Sequence, residues 1–214
     1  MQIAPEGRNF IIIAFITTIT FFLLEINKPN SWFLILYGIS GLSLIFMLVF
    51  FRNPNRNAPS VKNVIIAPSD GKIIDIKKID DPDIGDSCIK ISIFLNIFNV
   101  HVNWMPLTGK IQSVNHKNGK FISAFDHRAS DENEQTEIVI GGNQVKIKVK
   151  QIAGLIARRI KCYAEPGLSM DMGGRLGFIM FGSRMDIILP RSIRPVVTLN
   201  QKVRGCETVI GQFK

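Results

Sequence analysis

Two hydrophobic rhythms divide the chain near residue 51. From Phe10 to Leu24 (FIIIAFITTITFFLL) no residue is charged, and Trp32 to Phe51 (WFLILYGISGLSLIFMLVFF) is a second uncharged run. A helix spans a bilayer with about 20 apolar residues, and about 17 can suffice. The second run reaches that length alone; the first does so by including Ile26 and its neighbours. Between them, Glu25 to Ser31 is short and polar and contains the helix breaker Pro29. The pattern predicts a transmembrane helical hairpin over residues 1–51, returning the chain to the side it left; a monotopic hairpin dipping into one leaflet is the alternative with the same sidedness. The rival is a cleaved signal peptide. Against it stand the second apolar run and the lack of a small-x-small site after the first.

Beyond Phe51 the rhythm changes. Residues 52–60 (RNPNRNAPS) are rich in Pro and Asn and read as a linker. Residues 61–214 then show short β-branched runs parted by turn signals. Val64-Ile65-Ile66 precedes the turn Pro68-Ser69-Asp70-Gly71, and Lys72 to Ile76 follows it. Lys90 to Leu95 begins by alternating, and Ile138-Val139-Ile140 and Val145 to Val149 flank a hairpin signal at Gly141-Gly142-Asn143-Gln144. Phe178 to Phe181 and Met185 to Leu189 lie on either side of Gly182-Ser183. Phe125 to Gln135 is polar and reads as a loop, and no run supports a long amphipathic helix. The prediction is a mainly β domain, a sandwich or partly closed barrel, behind the hairpin.

Charge sharpens this division. The formal net charge is +9, yet Glu6, Arg8, Glu25 and Lys28 cancel within residues 1–51, so the whole excess lies downstream. A basic domain suits nucleic acid or an anionic membrane. The hairpin favours the membrane, and no aromatic-rich basic motif supports nucleic acid. Arg8 precedes the first run, Arg52, Arg56 and Lys62 follow the second, and the link is neutral. The positive-inside rule therefore puts the domain on the cytoplasmic side of an inner membrane. Cys88, Cys162 and Cys206 are odd in number and far apart, which predicts free thiols and no metal site.

Three segments carry candidate chemistry. Asp70 precedes a glycine in a turn, a pairing that usually only connects strands. His101 sits in Asn96-Ile97-Phe98-Asn99-Val100-His101-Val102-Asn103-Trp104-Met105-Pro106; histidine is the natural base near neutral pH, although an apolar setting more often holds a structural one. Gly182-Ser183 reads as a turn or a nucleophile, without a Gly-x-Ser-x-Gly elbow.

In order along the chain stand Pro68 to Gly71, Phe98 to Asn103, Glu132-Asn133-Glu134, Gln151 to Ile160, and Phe181-Gly182-Ser183-Arg184-Met185-Asp186 before Leu189-Pro190. Together they resemble the short bacterial and archaeal form of the phosphatidylserine decarboxylase family, over most of the chain from Arg52 onward. The resemblance implies self-cleavage between Gly182 and Ser183, with Ser183 as nucleophile becoming a pyruvoyl cofactor that meets the substrate amine as a Schiff base. It implies decarboxylation of phosphatidylserine to phosphatidylethanolamine and CO2 in phospholipid biosynthesis, in a bacterial or archaeal membrane. His101 is then the base, Asp70 its orienting partner, and Arg158, Arg159 and Lys120 the candidates for the lipid phosphate. The two cleaved chains stay associated, and a homo-oligomer is compatible with this reading. Relatives often carry a basic residue at Trp104; here an indole suits a membrane interface or an acyl chain. Two other readings use the same residues: a membrane-tethered serine hydrolase built on intact Ser183, His101 and Asp70, and a non-enzymatic membrane-anchored β-domain adaptor.

Overall fold

The computed structural model describes residues 2–120, 122–123, 128–142, 145–154, 159–180 and 183–213, with Ser183 described by its backbone alone. The chain divides into two compact units, Met1–Asn55 and Arg56–Lys214.

In the first unit, β1 (Gln2–Ile3) pairs with β2 (Arg52–Asn53), and α1 (Arg8–Asn27) and α2 (Ser31–Phe50) run between them. Asn30 separates the helices and caps α2, its side-chain oxygen accepting from the Trp32 amide at 2.9 Å. Thr17, Thr18 and Thr20 donate their hydroxyls to carbonyls four residues back at 2.8–2.9 Å, which satisfies them without water. The helices meet through aromatic contacts, with Phe22 and Tyr37 ring centroids 5.5 Å apart. Their outer faces are as apolar as their contact: Ile13 is 64% exposed and Leu42 is 70% exposed. A helix that is apolar on all sides needs an apolar surrounding. Pro5–Asn27 and Ser31–Phe50 are both long and apolar enough to cross a membrane.

The second unit is built from β3 (Val64–Ile66), β4 (Gly71–Asp81), β5 (Gly85–Leu95), β6 (Val102–Trp104), β7 (Gly109–Lys117), β8 (Gln135–Gly141) and β9 (Lys146–Ala153). After these come β10 (Ile160–Cys162), β11 (Ser169–Met170), β12 (Arg175–Ile179), β13 (Ser183–Leu189), β14 (Ile193–Pro195), β15 (Lys202–Val203) and β16 (Val209–Phe213). Eight of these strands form one sheet in the order β11-β7-β8-β9-β13-β5-β4-β15. That sheet curls into a half-barrel, as the mainly β expectation required. Two three-stranded sheets, β10-β12-β6 and β14-β16-β3, complete the unit. Ile73, Ile91, Ile93, Val149, Met185 and Ile187 are among the apolar side chains that fill the core.

One local reading needs correction. The polar stretch 125–135 is not loop throughout: its described part contains the single turn α3 (Ala129–Glu132) and the start of β8. Strand β7 carries no β-branched run in GKIQSVNHK and is held by pairing to β8 and β11. A strand's own composition matters less than the partner beside it.

Buried charge is handled by pairing across strands. Lys148 of β9 is buried, with Nζ 2.7 Å from Asp81 and 2.6 Å from Asp83. Burial lowers its pKa, but the two carboxylates outweigh that and the net shift is upward. Glu137 of β8 accepts from Lys150 at 2.9 Å and Lys117 at 3.0 Å. Burial raises its pKa, but the hydrogen bonds and charges of Lys150 and Lys117 outweigh that and the net shift is downward from 4.5. A depressed carboxyl stabilises the fold above its unfolded pKa and loses that contribution as pH falls through the folded value. Glu137→Gln should therefore cost about 1–2 kcal/mol at pH 7. The gap to wild type should close at pH values well below 4.5, as read from urea midpoints across a pH series. A constant gap at all pH values would contradict the pairing.

Candidate active site

Strand β13 starts at Ser183, and both of its neighbours end beside it. Its register pairs Ser183 with Leu95, the last residue of β5, and with Ala153, the last residue of β9. The chain leaving β5 reaches His101 within six residues, and the chain leaving β9 leads toward Arg159. The segment entering from the upstream side is tied to the same two places. The Ile179 amide donates to the His101 carbonyl, and the Met180 amide to the Arg159 carbonyl, each at 3.3 Å. Motifs far apart in sequence thus meet around one strand end. Gly182 and Arg158 lie outside the described residues.

His101 is fully buried at the mouth of β6, just outside the strand. Its Nδ1 lies 2.9 Å from the Asn99 carbonyl oxygen. A carbonyl only accepts, so Nδ1 carries the proton and Nε2 is the basic nitrogen of the neutral ring. The backbone around the ring is fixed from both sides. Asn103 Nδ2 donates to the His101 carbonyl at 3.4 Å, and Gln151 of β9 donates to Asn103 Oδ1 at 2.8 Å.

Asp70 does not bond the His101 ring. Its carboxylate is gripped by the fork of Arg56, with Nη2 donating at 3.0 Å and Nη1 making a second, short bond. The Gly205 amide donates to Oδ1 at 2.8 Å, and the Val100 amide approaches Oδ2 at 3.4 Å. Asp70 therefore acts on the peptide ahead of His101, through Val100, rather than on the imidazole. Gly71 has φ +152°, and a Cβ there would stand 2.3 Å from the Phe94 carbonyl oxygen, so glycine lets the Asp70 turn press onto β5.

Arg56 is the residue that sequence reasoning missed. It read as part of a Pro/Asn linker, and no local pattern marks it, because its partners lie at positions 70 and 205. Its guanidinium also stacks over Trp104, 4.8 Å from the ring centroid. Burial lowers the Arg56 pKa, yet the Asp70 hydrogen bond together with the charges of Asp70 and Glu207 outweighs that and the net shift is upward. Trp104 is 5% exposed, covered by Arg56 on one side and by Gly205 on another, where a Cβ would sit 2.4 Å from the ring. Packing beneath Arg56 withdraws the indole from the surface.

The other nominated cations divide. Arg159 is exposed beside the Met180 amide. Lys120 is exposed and paired with Glu132 at 3.0 Å, on a segment joined to Asn133. Asn133 in turn donates to the Ala153 carbonyl at 2.7 Å, directly opposite Ser183 in register. Immediately after Ser183, Arg184 and Asp186 are fully buried and bond each other at 2.7 Å. Ser92 and Ser130 complete that cluster at 2.7 and 2.5 Å. The sequence marked Arg184 and Asp186 only as motif letters; their shared burial is a property of the sheet. All three cysteines are free, and burial pushes each thiol upward, so they remain protonated at neutral pH.

Removing one partner of a buried ion pair strands the other and costs about 3–5 kcal/mol. Arg56→Met should lower the unfolding midpoint and slow any reaction that depends on the Val100–His101 peptide. Arg56→Met combined with Asp70→Asn should regain part of the stability. A double-mutant cycle with no coupling would reject the pair as the support of that peptide.

Comparison with known proteins places the whole chain in a family. The sequence profile of the family described as phosphatidylserine decarboxylase matches residues 44–211. A protein of Cupriavidus pinatubonensis named phosphatidylserine decarboxylase proenzyme is 40% identical over 99% of this chain and 95% of its own length. Proteins of the same name from Pelobacter propionicus and Chlorobium phaeobacteroides are 43% and 45% identical, over 84% and 81% of this chain. The chain belongs to the phosphatidylserine decarboxylase family.

Proposed function

We propose that the protein is a phosphatidylserine decarboxylase made as a proenzyme, which cleaves itself between Gly182 and Ser183 and converts phosphatidylserine to phosphatidylethanolamine and CO2. The observation that carries this reading is the convergence at the start of β13. Leu95 and Ala153 flank Ser183, and the chain just upstream is bonded to the backbones of His101 and Arg159.

The residue types suit each step. His101 takes the Ser183 hydroxyl proton through Nε2, since Nδ1 is committed to the Asn99 carbonyl. The Ser183 oxygen attacks the Gly182 carbonyl carbon and the Gly182–Ser183 C–N bond breaks, giving an ester and a free amine. Loss of the α-proton of Ser183 then expels the ester oxygen, leaving a carboxylate on Gly182 and dehydroalanine at 183. Tautomerisation and hydrolysis by one water release ammonia and leave the pyruvoyl group. Glycine at 182 keeps the attacked carbonyl unhindered.

A pyruvoyl group supplies an electron sink for the substrate amine during loss of CO2. The site fits it: a strand paired on both sides holds position 183 in place, and buried His101 can return a proton to the substrate. Asp70 and Arg56 serve as positioning residues through the Val100 peptide. Arg159 is the best-placed candidate for the lipid phosphate, because the residue is exposed and its backbone is bonded to Met180 just upstream of Ser183, whereas Lys120 is already paired to Glu132.

The downstream chain is woven into the upstream one. Beyond Ser183, β13 pairs with β5 and β9, β15 with β4, and β16 with β3. These ladders support two chains that stay together after cleavage. The basic flanks of the apolar helices support a hairpin in the inner membrane, with the second unit in the cytoplasm.

Intact mass spectrometry of C-terminally tagged protein, beside Ser183→Ala, tests the reading. Two copurifying chains that part only in denaturant should appear, breaking after Gly182. The smaller should be lighter than a serine start requires and should shift on borohydride reduction. A single full-length mass from folded wild-type protein would overturn self-processing and favour the serine hydrolase or adaptor.

A further inference from the structure

The loop from β5 to His101 carries a feature that proton transfer does not require. Asn96 Oδ1 accepts from the Phe98 amide and Asn99 Oδ1 from the Asn96 amide, both at 2.9 Å, while the Asn99 amide donates to the Asn96 carbonyl at 3.0 Å. Three bonds within four residues make a stiff turn. Its outer positions are apolar: Ile97 is 37% exposed and Phe98 is 67% exposed. A single exposed apolar residue on a soluble surface is ordinary. An adjacent pair held outward by a polar brace, two and three residues beyond Leu95, the partner of Ser183, is more specific.

The charge beside the loop points the same way. Two residues before Asn96, Phe94 lies opposite Lys72 of β4, and Lys72 lies opposite Lys202 of β15. Like charges directly opposite each other weaken a sheet. Both lysines are exposed, and among the described residues neither has an acidic partner. Aromatic and aliphatic tips flanked by lysines are the chemistry of an anionic lipid interface.

We propose that Ile97, Phe98, Lys72 and Lys202 form a rim that enters the headgroup layer of an anionic phospholipid membrane and admits the lipid substrate to the start of β13. This rests on the reading that the substrate is a bilayer phospholipid. The rim is a separate contact from the apolar helices: it governs delivery of substrate, whereas the helices provide attachment.

The full-length protein tests this with one lipid headgroup in two physical forms. Ile97→Ser/Phe98→Ser should self-cleave like wild type and act equally on short-chain phosphatidylserine below its micelle concentration. On phosphatidylserine vesicles its kcat/KM should fall about tenfold, a change of about 1.4 kcal/mol. Lys72→Gln/Lys202→Gln should weaken the dependence of vesicle activity on salt. Equal activity on vesicles, or an equal loss on both substrates, overturns the rim. A second readout does not need turnover. In uncleaved Ser183→Ala protein, Phe98→Trp should add quenching by brominated anionic lipid beyond that from Trp32 and Trp104; no added quenching rejects insertion. A wild-type protein that neither cleaves nor decarboxylates removes the proposed function instead, and this quenching still decides the rim.

Discussion

Strand β13 must find hydrogen-bond partners on both edges, and the rest of the second unit is arranged to provide them. On one side stand β5, β4 and β15; on the other β9, β8, β7 and β11. Without β13 these are two separate antiparallel sets, each ending in an open edge with unsatisfied amides and carbonyls. β13 joins them into one curled sheet. The backbone at Ser183 is thereby fixed at a seam, with Leu95 and Ala153 as its register partners. Reactive geometry placed on a doubly paired strand is held more firmly than on a loop.

Around that seam, polar groups are buried in closed sets rather than singly. Arg56 and Asp70 share Gly205 and the Val100 peptide; Arg184 and Asp186 share Ser92 and Ser130; Asn103 and Gln151 hold the His101 carbonyl. Each set crosses from one strand or loop to another. A buried ion pair adds little net stability over apolar packing, because desolvation offsets its attraction. Its use here is positional: each pair tolerates only a narrow arrangement of the backbones that carry it. Arg56 and Asp70 also connect residues before the Gly182–Ser183 bond to Gly205 after it, so the cluster spans the point where the chain is proposed to break.

The two units answer to different solvents. The helices of residues 1–55 turn apolar side chains outward and satisfy Thr17, Thr18 and Thr20 internally. The second unit hides its apolar residues and exposes a basic surface. A lipid enzyme must work where these regimes meet. The stiff turn at residues 96–99, with its lysine neighbours, lets the second unit present both an apolar and a cationic contact beside the start of β13.

Much of this was legible in the chain itself. Uncharged runs of helical length define the hairpin, and β-branched runs parted by turns define a β domain, because both signals arise between near neighbours. The order of the Asp70, His101 and Ser183 motifs likewise identified the family. Three features were settled only by tertiary structure. The polar β7 is a strand because β8 pairs with it, Arg56 belongs to the site because folding delivers it to Asp70 and Gly205, and Trp104 is core because Arg56 and Gly205 cover it. Periodicity records which face of an element is apolar. It carries no register between strands distant in sequence, and that register decides which polar groups are buried together and what lies beside Ser183.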